Sequence, residues 1–281
     1  MEYITLSNGV KIPQLGYGVY QICKEKTKDC VLQALSLGYR HIDTAQAYYN
    51  EEEVGQALLE SGLKREEIFL TTKVGYVKGY EDAFKSIEES LKKLKTDYVD
   101  LLLFHWPQGD CSEIYRAIED AYRSKKARAI GISNFYGKKL DRLLENCAIK
   151  PMVNQLETHV FHNQEKSRER GRQEGFCVEA WSPLAGGTHN IFKNPILVEL
   201  ANKYHVSPSA IALRYLCQLD IIVIPKTTHV ERMKENFDLF SFSLTQEEMK
   251  RVKTLDKEKS AFDLFSWIGY VLRSRKSNKE R

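Results

Sequence analysis

Short apolar runs rich in Val, Ile, Leu and aromatic residues recur along the chain, each followed by a longer segment whose apolar positions repeat with helical spacing. The runs are QLGYGVY (14–20), YRHIDTA (39–45), IFLTTKV (68–74), VDLLLFHW (99–106), ARAIGIS (127–133), MVNQLET (152–158), FCVEAWS (176–182) and DIIVIPK (220–226). Nearly continuous apolarity marks a strand buried on both faces, so these runs alternating with helices predict a parallel sheet. The helix starts carry their own signals. Asn50 with Glu53 reads as a capping box ahead of the apolar face Val54, Ala57 and Leu58. Ser207 followed by Pro208 reads as an N-cap with proline in the first turn, and Thr245 with Glu248 as a second box.

Eight parallel strands can form an open sheet or a closed barrel, and the polar residues decide between them. Asp43, Lys73, His105, Ser133 with Asn134, Gln155, Trp181 and Lys226 stand at the C-terminal ends of successive runs. A barrel gathers those ends into one ring, whereas an open sheet strings them along an edge. The expected fold is therefore an α/β, (β/α)8 TIM barrel forming a single domain over residues 1–281, with no internal linker. YITL, the turn Asn8-Gly9 and VKI predict an N-terminal β-hairpin that plugs the bottom of the barrel.

Composition removes several function classes. The 281 residues are 42% hydrophobic and 28% charged, with 16 Gly and 7 Pro, which excludes a disordered or collagen-like chain. There are 42 basic and 38 acidic residues, but five of the basic ones lie in the last nine, RSRKSNKER (273–281), leaving residues 1–272 neutral. A neutral body lacks the cationic stripe that nucleic acid requires, and the tail reads as a solvated end. Cys23, Cys30, Cys111, Cys147, Cys177 and Cys217 form no Cys-x-x-Cys pair and no zinc spacing. With no leader pattern after Met1 and no long apolar window, these features predict a cytoplasmic protein without a transmembrane segment.

The chemistry lies at the ends of the second to fourth runs. A tyrosine is a poor acid at neutral pH unless a nearby positive charge stabilises its phenolate. Lys73 is placed to supply that charge to Tyr48, with Asp43 holding the ammonium, and His105 to donate to a carbonyl oxygen as negative charge develops there. Such a set protonates an alkoxide. Singly, each residue has an ordinary structural reading, and only their shared location gives them weight. His41 and Asp43 share a strand face as in barrel metal sites, yet Ser133 and Lys226 occupy positions where further ligands are needed, so no metal is expected. His159 and His162 read as loop residues.

The segments GYRHIDTAQAYYNEEEVGQAL (38–58), LTTKV (70–74), VDLLLFHWP (99–107), GISNF (131–135), NQLE (154–157), EAWSPL (179–184) and IPKTTHVERMKENF (224–237) resemble, in order, those of the aldo-keto reductases. The likeness runs to about residue 256 and is greatest to the 2,5-diketogluconate and glyoxal/methylglyoxal reductases and prostaglandin F synthases. It implies hydride transfer from NADPH to an aldehyde or ketone, with Tyr48 giving the proton, Lys73 and Asp43 tuning it and His105 orienting the carbonyl. It also implies cofactor contacts from Gly18, Val19, Tyr20 and Asp43, carboxamide binding by Ser133, Asn134 and Gln155, and stacking on Trp181, with Ser182 and Leu184 beside it. Glu235 and Asn236 match the adenine contacts, and Tyr20, Tyr48, His105 and Trp106 would face the substrate.

Cofactor choice can be argued separately. No Gly-x-Gly-x-x-Gly loop follows a strand; Gly16-Tyr-Gly18 holds only two of its glycines. Lys226 and Arg232 bracket the loop after the eighth run, the phosphate end of such barrels, and with Thr227 and Thr228 they suit a 2′-phosphate. NADPH/NADP+ is therefore expected over NADH. Many relatives carry tryptophan two places after the lysine of the third strand, where this chain has Gly75 and then Tyr76, so one pocket wall should be reshaped. Tyr49 joins Tyr20 and Trp106 as candidate lining. FDLFSWIGYVL (262–272) within the C-terminal segment 257–281 is apolar enough to close over the pocket or to form an interface. The partner expected is a small-molecule carbonyl compound and the state a monomer. A barrel of this family that holds NADPH as a regulatory subunit with little turnover is the alternative; the intact Asp43, Tyr48, Lys73 and His105 set argues against it.

Overall fold

The computed structural model describes residues 1–262. β1 (Tyr3–Thr5) and β2 (Lys11–Pro13) form the expected antiparallel hairpin. Its turn places Gly9 at φ +85°, a left-handed conformation open to glycine, while Leu6 N donates to Val10 O at 2.8 Å. Asn8 Nδ2 donates to Arg128 O at 2.9 Å, beside the start of a barrel strand, so the hairpin lies across the N-terminal end of the barrel with Leu6 and Ile12 buried under it.

The eight apolar runs become eight parallel strands: β3 (Tyr17–Gly18), β4 (His41–Asp43), β5 (Phe69–Val74), β6 (Val99–Phe104), β7 (Ala127–Ser133), β8 (Val153–Glu157), β9 (Cys177–Trp181) and β10 (Ile222–Val223). Each pairs with its sequence neighbour, and the first and last meet where Leu15 bridges Val223 in parallel. Gly16 N donates to Val223 O at 2.8 Å and Val223 N to Gln14 O at 2.8 Å, which closes the barrel. The two seam strands are shorter than the runs 14–20 and 220–226 suggest. Pro225 has no N–H to extend a ladder, and a Cβ at Gly16 would stand 2.7 Å from His41 Nδ1, so the seam closes by a few bonds in a crowded space. Every residue of β4, β5, β6 and β8 is buried, which explains why those runs show no alternation.

Helices surround the strands: α1 (Lys24–Ser36), α2 (Glu51–Glu60), α3 (Tyr80–Lys93), α4 (Cys111–Arg123), α5 (Gly137–Asn146), α6 (Glu165–Glu174), α7 (Pro195–Tyr204), α8 (Pro208–Cys217), α9 (Val230–Phe237) and α10 (Gln246–Lys253). α3 shows the general device, burying Ala83, Ile87 and Leu91 at four-residue spacing. Ser207 caps α8 through Ala210 N, and Thr245 with Glu248 completes the box at α10. Asn50 departs from expectation. It precedes α2 but makes no cap; its Oδ1 accepts from Thr44 Oγ1 at 3.0 Å and its Nδ2 donates to Val19 O at 3.1 Å. Fully buried between two loops of the barrel mouth, its amide is spent on carbonyl and hydroxyl groups that water cannot reach. No helix among the described residues is long and apolar enough to cross a membrane.

Candidate active site

Lys73, on β5 near its C-terminal end, is fully buried, and its ammonium makes three hydrogen bonds, the full number it can donate. Nζ donates to Asp43 Oδ1 at 2.6 Å, to Thr44 O at 2.8 Å and to Tyr48 Oη at 3.2 Å. Because the phenol oxygen accepts from the ammonium, the phenol's own hydrogen is directed away from it. Tyr48 ends a 3-10 turn, Gln46–Tyr48, that follows β4. Gln46 pins that turn, donating to Ser86 and Ser90 of α3 and accepting from Gly75 N at 3.2 Å.

His105 follows β6, its ring 5.8 Å from that of Tyr48 in an edge-on arrangement. Burial, assisted by the Lys73 charge, lowers its pKa to about 3, so the imidazole is neutral. Nδ1 is buried and has no hydrogen-bond partner among the described residues, so a hydrogen there would be an unpaired buried donor, which the tautomer with the hydrogen on Nε2 avoids. Burial pushes the Asp43 carboxyl up, with Lys73 and Gln155 pulling against it.

A continuous chain of bonds extends from this group around the ring. Gln155 Nε2 donates to Asp43 Oδ2 at 3.0 Å and to Glu179 Oε2 at 2.9 Å. Ser133 Oγ donates to Gln155 O at 3.0 Å, and Asn134 Nδ2 to Ser133 Oγ at 2.9 Å and to His105 O at 3.3 Å. Trp181 Nε1 donates to Asn134 Oδ1 at 2.9 Å, which fixes the plane of a half-buried indole. Asp43, Lys73, Tyr48, His105, Asn134 and Trp181 thus form one connected cluster at the C-terminal mouth.

The other candidates occupy two further places. Gly18 and Val19 line the seam, where Gly18 N donates to Pro225 O at 3.2 Å and Val19 N to Asp43 O at 3.1 Å, and the Tyr20 ring lies 4.7 Å from that of Tyr48. Ser182 and Leu184 begin the loop after β9, where Ser182 at φ +53° opens a run of left-handed residues continuing at Ala185, Gly186 and Gly187. After the neighbouring strand β10, Lys226 and Thr228 are exposed, while Thr227 is buried, its carbonyl accepting from Tyr17 Oη at 2.5 Å. Arg232 and Glu235 project from α9 into solvent, and Asn236 is buried. Neither Lys226 nor Arg232 has an ion-pair partner among the described residues, a donor set that suits an anion. His41 and Asp43 share no ligand set; His41 Nε2 meets Thr71 Oγ1 at 3.0 Å, and no cluster of potential ligands occurs among the described residues.

Beyond the ends of β6 and β7 a cavity of about 490 Å³ is walled by Tyr76, Trp106 and Tyr136. Tyr76, held at φ +59° next to Gly75, supplies an aromatic wall. Tyr49 is exposed and is not among the cavity's lining residues. After α10 the chain returns to the mouth: Ser260 Oγ donates to Glu157 Oε2 at 2.5 Å, Ala261 N to Glu157 Oε1 at 2.7 Å, and the Phe262 ring sits 5.6 Å from that of Trp181. The rest of the apolar stretch, 263–272, and the basic tail lie outside the described residues.

Two residues escaped the sequence reading. Gln46 carries no sequence signal for its role. Glu179 does: it stands two residues before Trp181 on the same strand, and strand side chains two apart share a face, so an acid there points toward the ring's interior. It is fully buried, and burial with the Asp43 charge raises its pKa to about 8.

Comparison with known proteins gives a consistent picture. The profile described as "Aldo/keto reductase family" matches residues 13–257. The chain is 43% identical over 260 residues to the 9,11-endoperoxide prostaglandin H2 reductase of Trypanosoma cruzi, covering 91% of this chain and 92% of that protein. It is 41% identical over 260 residues to the glyoxal reductase of Bacillus subtilis, covering 92% and 94%. The crystal structure of an aldo-keto reductase from Bombyx mori in complex with NADP superposes with a TM-score of 0.88 at 34% identity, over 95% of this chain and 96% of that one.

Proposed function

Because the chain belongs to the aldo/keto reductase family, we propose that it reduces aldehydes and ketones to alcohols with NADPH, Tyr48 giving the proton. NADPH, when bound, supplies the hydride. Trp181 would hold the nicotinamide against its indole, and Ser133, Asn134 and Gln155 would bind the carboxamide. Lys226, Thr228 and Arg232 would hold the phosphates after β10.

The carbonyl oxygen sits between Tyr48 Oη and the Nε2–H of His105. As negative charge develops on that oxygen, the neutral imidazole donates a hydrogen bond to it and Tyr48 transfers its proton. The charge then left on the phenol oxygen faces an ammonium 3.2 Å away, which is itself held by Asp43 at 2.6 Å. That ammonium is the observation supporting the reading, since without it a phenol is too weak an acid at neutral pH. In a buried site its effect is far larger than in water.

Loss of the near-ultraviolet absorbance of NADPH with methylglyoxal, glyoxal or a nitrobenzaldehyde follows the reaction. Tyr48→Phe should lower kcat by about 100- to 10,000-fold while NADPH still quenches the protein's tryptophan fluorescence. Persistent turnover in that variant would refute the tyrosine as proton donor. Binding without turnover in the unaltered protein would instead support a regulatory subunit.

A further inference from the structure

The barrel interior holds a second carboxyl within reach of the catalytic group. On its strand Glu179 stands opposite Gln155 of β8 on one side and the apolar Ile222 of β10 on the other. The titratable groups that face it are Asp43 and His41 of β4 and Lys73 of β5. Gln155 ties it to the site: one amide nitrogen gives its two hydrogens to Asp43 Oδ2 at 3.0 Å and Glu179 Oε2 at 2.9 Å. The other oxygen, Oε1, is buried without a hydrogen-bond partner among the described residues and lies 3.6 Å from His41 Nε2. Burial lowers the His41 pKa to about 3, so that ring is neutral. Its Nδ1 lies 3.4 Å from Pro13 O, which can only accept, so the ring hydrogen is there. Nε2 therefore offers a lone pair, which accepts from Thr71 Oγ1 at 3.0 Å. An ionised Glu179 Oε1 would face that lone pair as an unpaired buried charge, whereas a protonated one turns its hydrogen toward it. An uncharged Glu179 fits these partners, in agreement with a pKa that burial and the Asp43 charge raise to about 8.

We propose that Glu179 is a positioning residue for carbonyl reduction: uncharged, it leaves the Lys73 ammonium to Asp43 and Tyr48, and its ionisation slows proton transfer from Tyr48. The inference rests on the reductase reading above and adds the group that governs its response to alkali. Each turnover leaves negative charge on the phenol oxygen, 3.2 Å from the ammonium that offsets it. A second carboxylate, joined to Asp43 through one amide, opposes that charge in a buried region where water screens weakly. Reduction is therefore fastest while Glu179 holds its proton and declines as pH rises through about 8. His41 is neutral across that range, and Gln155 and Ile222 do not ionise, so none of the three contributes to the change.

The test is the pH profile of kcat at saturating NADPH, with methylglyoxal or a nitrobenzaldehyde as the carbonyl and the full-length chain as the enzyme. In the unaltered protein kcat should fall about tenfold between about pH 7 and about pH 9, the response to one ionisation centred near 8. Glu179→Gln, neutral throughout, should lose that limb, while Glu179→Asp, still titratable, should retain one. An unaltered profile without the limb, a limb that survives Glu179→Gln unmoved, or one lost equally in Glu179→Asp overturns the proposal. The infrared C=O stretch of a buried protonated carboxyl reads the same group without turnover. It should be present at neutral pH, disappear on titration through the limb and be missing from Glu179→Gln; its absence from the unaltered protein at neutral pH overturns the proposal as well. A protein that shows the stretch and reduces no carbonyl would strike the reductase reading itself, and this role with it.

Discussion

Asp43 and Glu179 are two buried carboxyls that share one amide, and the ammonium of Lys73 bonds only the first of them. With one cation in reach, one carboxyl keeps its proton, and the geometry makes it Glu179, whose pKa burial and the Asp43 charge raise to about 8. In the unfolded chain the same group ionises near pH 4.5. The folded state therefore binds the extra proton across that interval, and stability attributable to Glu179 falls as pH rises from about 4.5 toward 8. Glu179→Gln, which is neutral throughout, should flatten that decline. Urea midpoints at the two ends of the interval should differ less in the variant than in the unaltered protein, with carbonyl reduction retained; an unchanged slope would show that Glu179 is ionised when folded. Tyr48, Lys73, Asp43 and His105 were readable as candidates because each stands at a run's end. The protonation of Glu179 was not, because it depends on which charges surround the group after the barrel closes.

At the level of elements, local signals were legible wherever the partners are neighbours in the chain. The α10 box is such a case: Thr245 Oγ1 accepts from Glu248 N and Glu248 Oε2 from Thr245 N at 2.8 Å, within one turn. Burial would raise the Glu248 carboxyl, but Lys203 at 2.6 Å, Thr245 N and Tyr204 at 2.7 Å outweigh it and hold the pKa at about 2. A depressed folded value contributes stability that is present above the unfolded pKa and is lost as pH falls from about 4.5 toward 2. Glu248→Gln should remove that acid-sensitive component: thermal midpoints should lie below those of the unaltered protein at neutral pH and converge with them near pH 2. Parallel curves over that range would count against it. Asn50 carries an equally good cap signal and makes no cap, because Thr44 and Val19, brought from other loops, are its partners. The seam strands β3 and β10 were overextended in the sequence reading because nothing local shows that Leu15 and Val223 will meet.

Across the whole molecule, barrel closure sets two groups of residues around one mouth. The connected cluster from Asp43 to Trp181 draws on the ends of β4 to β9, and Lys226 and Arg232, with no ion-pair partner among the described residues, follow β10 between β9 and β3. The two should be separable in experiment. Arg232→Ala should weaken NADPH binding by about ten- to a hundredfold, the worth of a hydrogen bond to a charged group, with NADH binding and kcat at saturating cofactor nearly unchanged. Equal losses for both nicotinamides, measured by fluorescence titration, would refute the 2′-phosphate assignment. The sequence by itself determined the alternation of strand and helix and the ring of polar residues at the strand ends, since burial on both faces and residue order are written locally. Only the tertiary structure decided that Lys73 spends its three hydrogens on Asp43, Thr44 and Tyr48, and that Tyr76 walls the cavity. Those outcomes are distances between groups far apart in the chain, and both charge state and pocket shape follow from such distances.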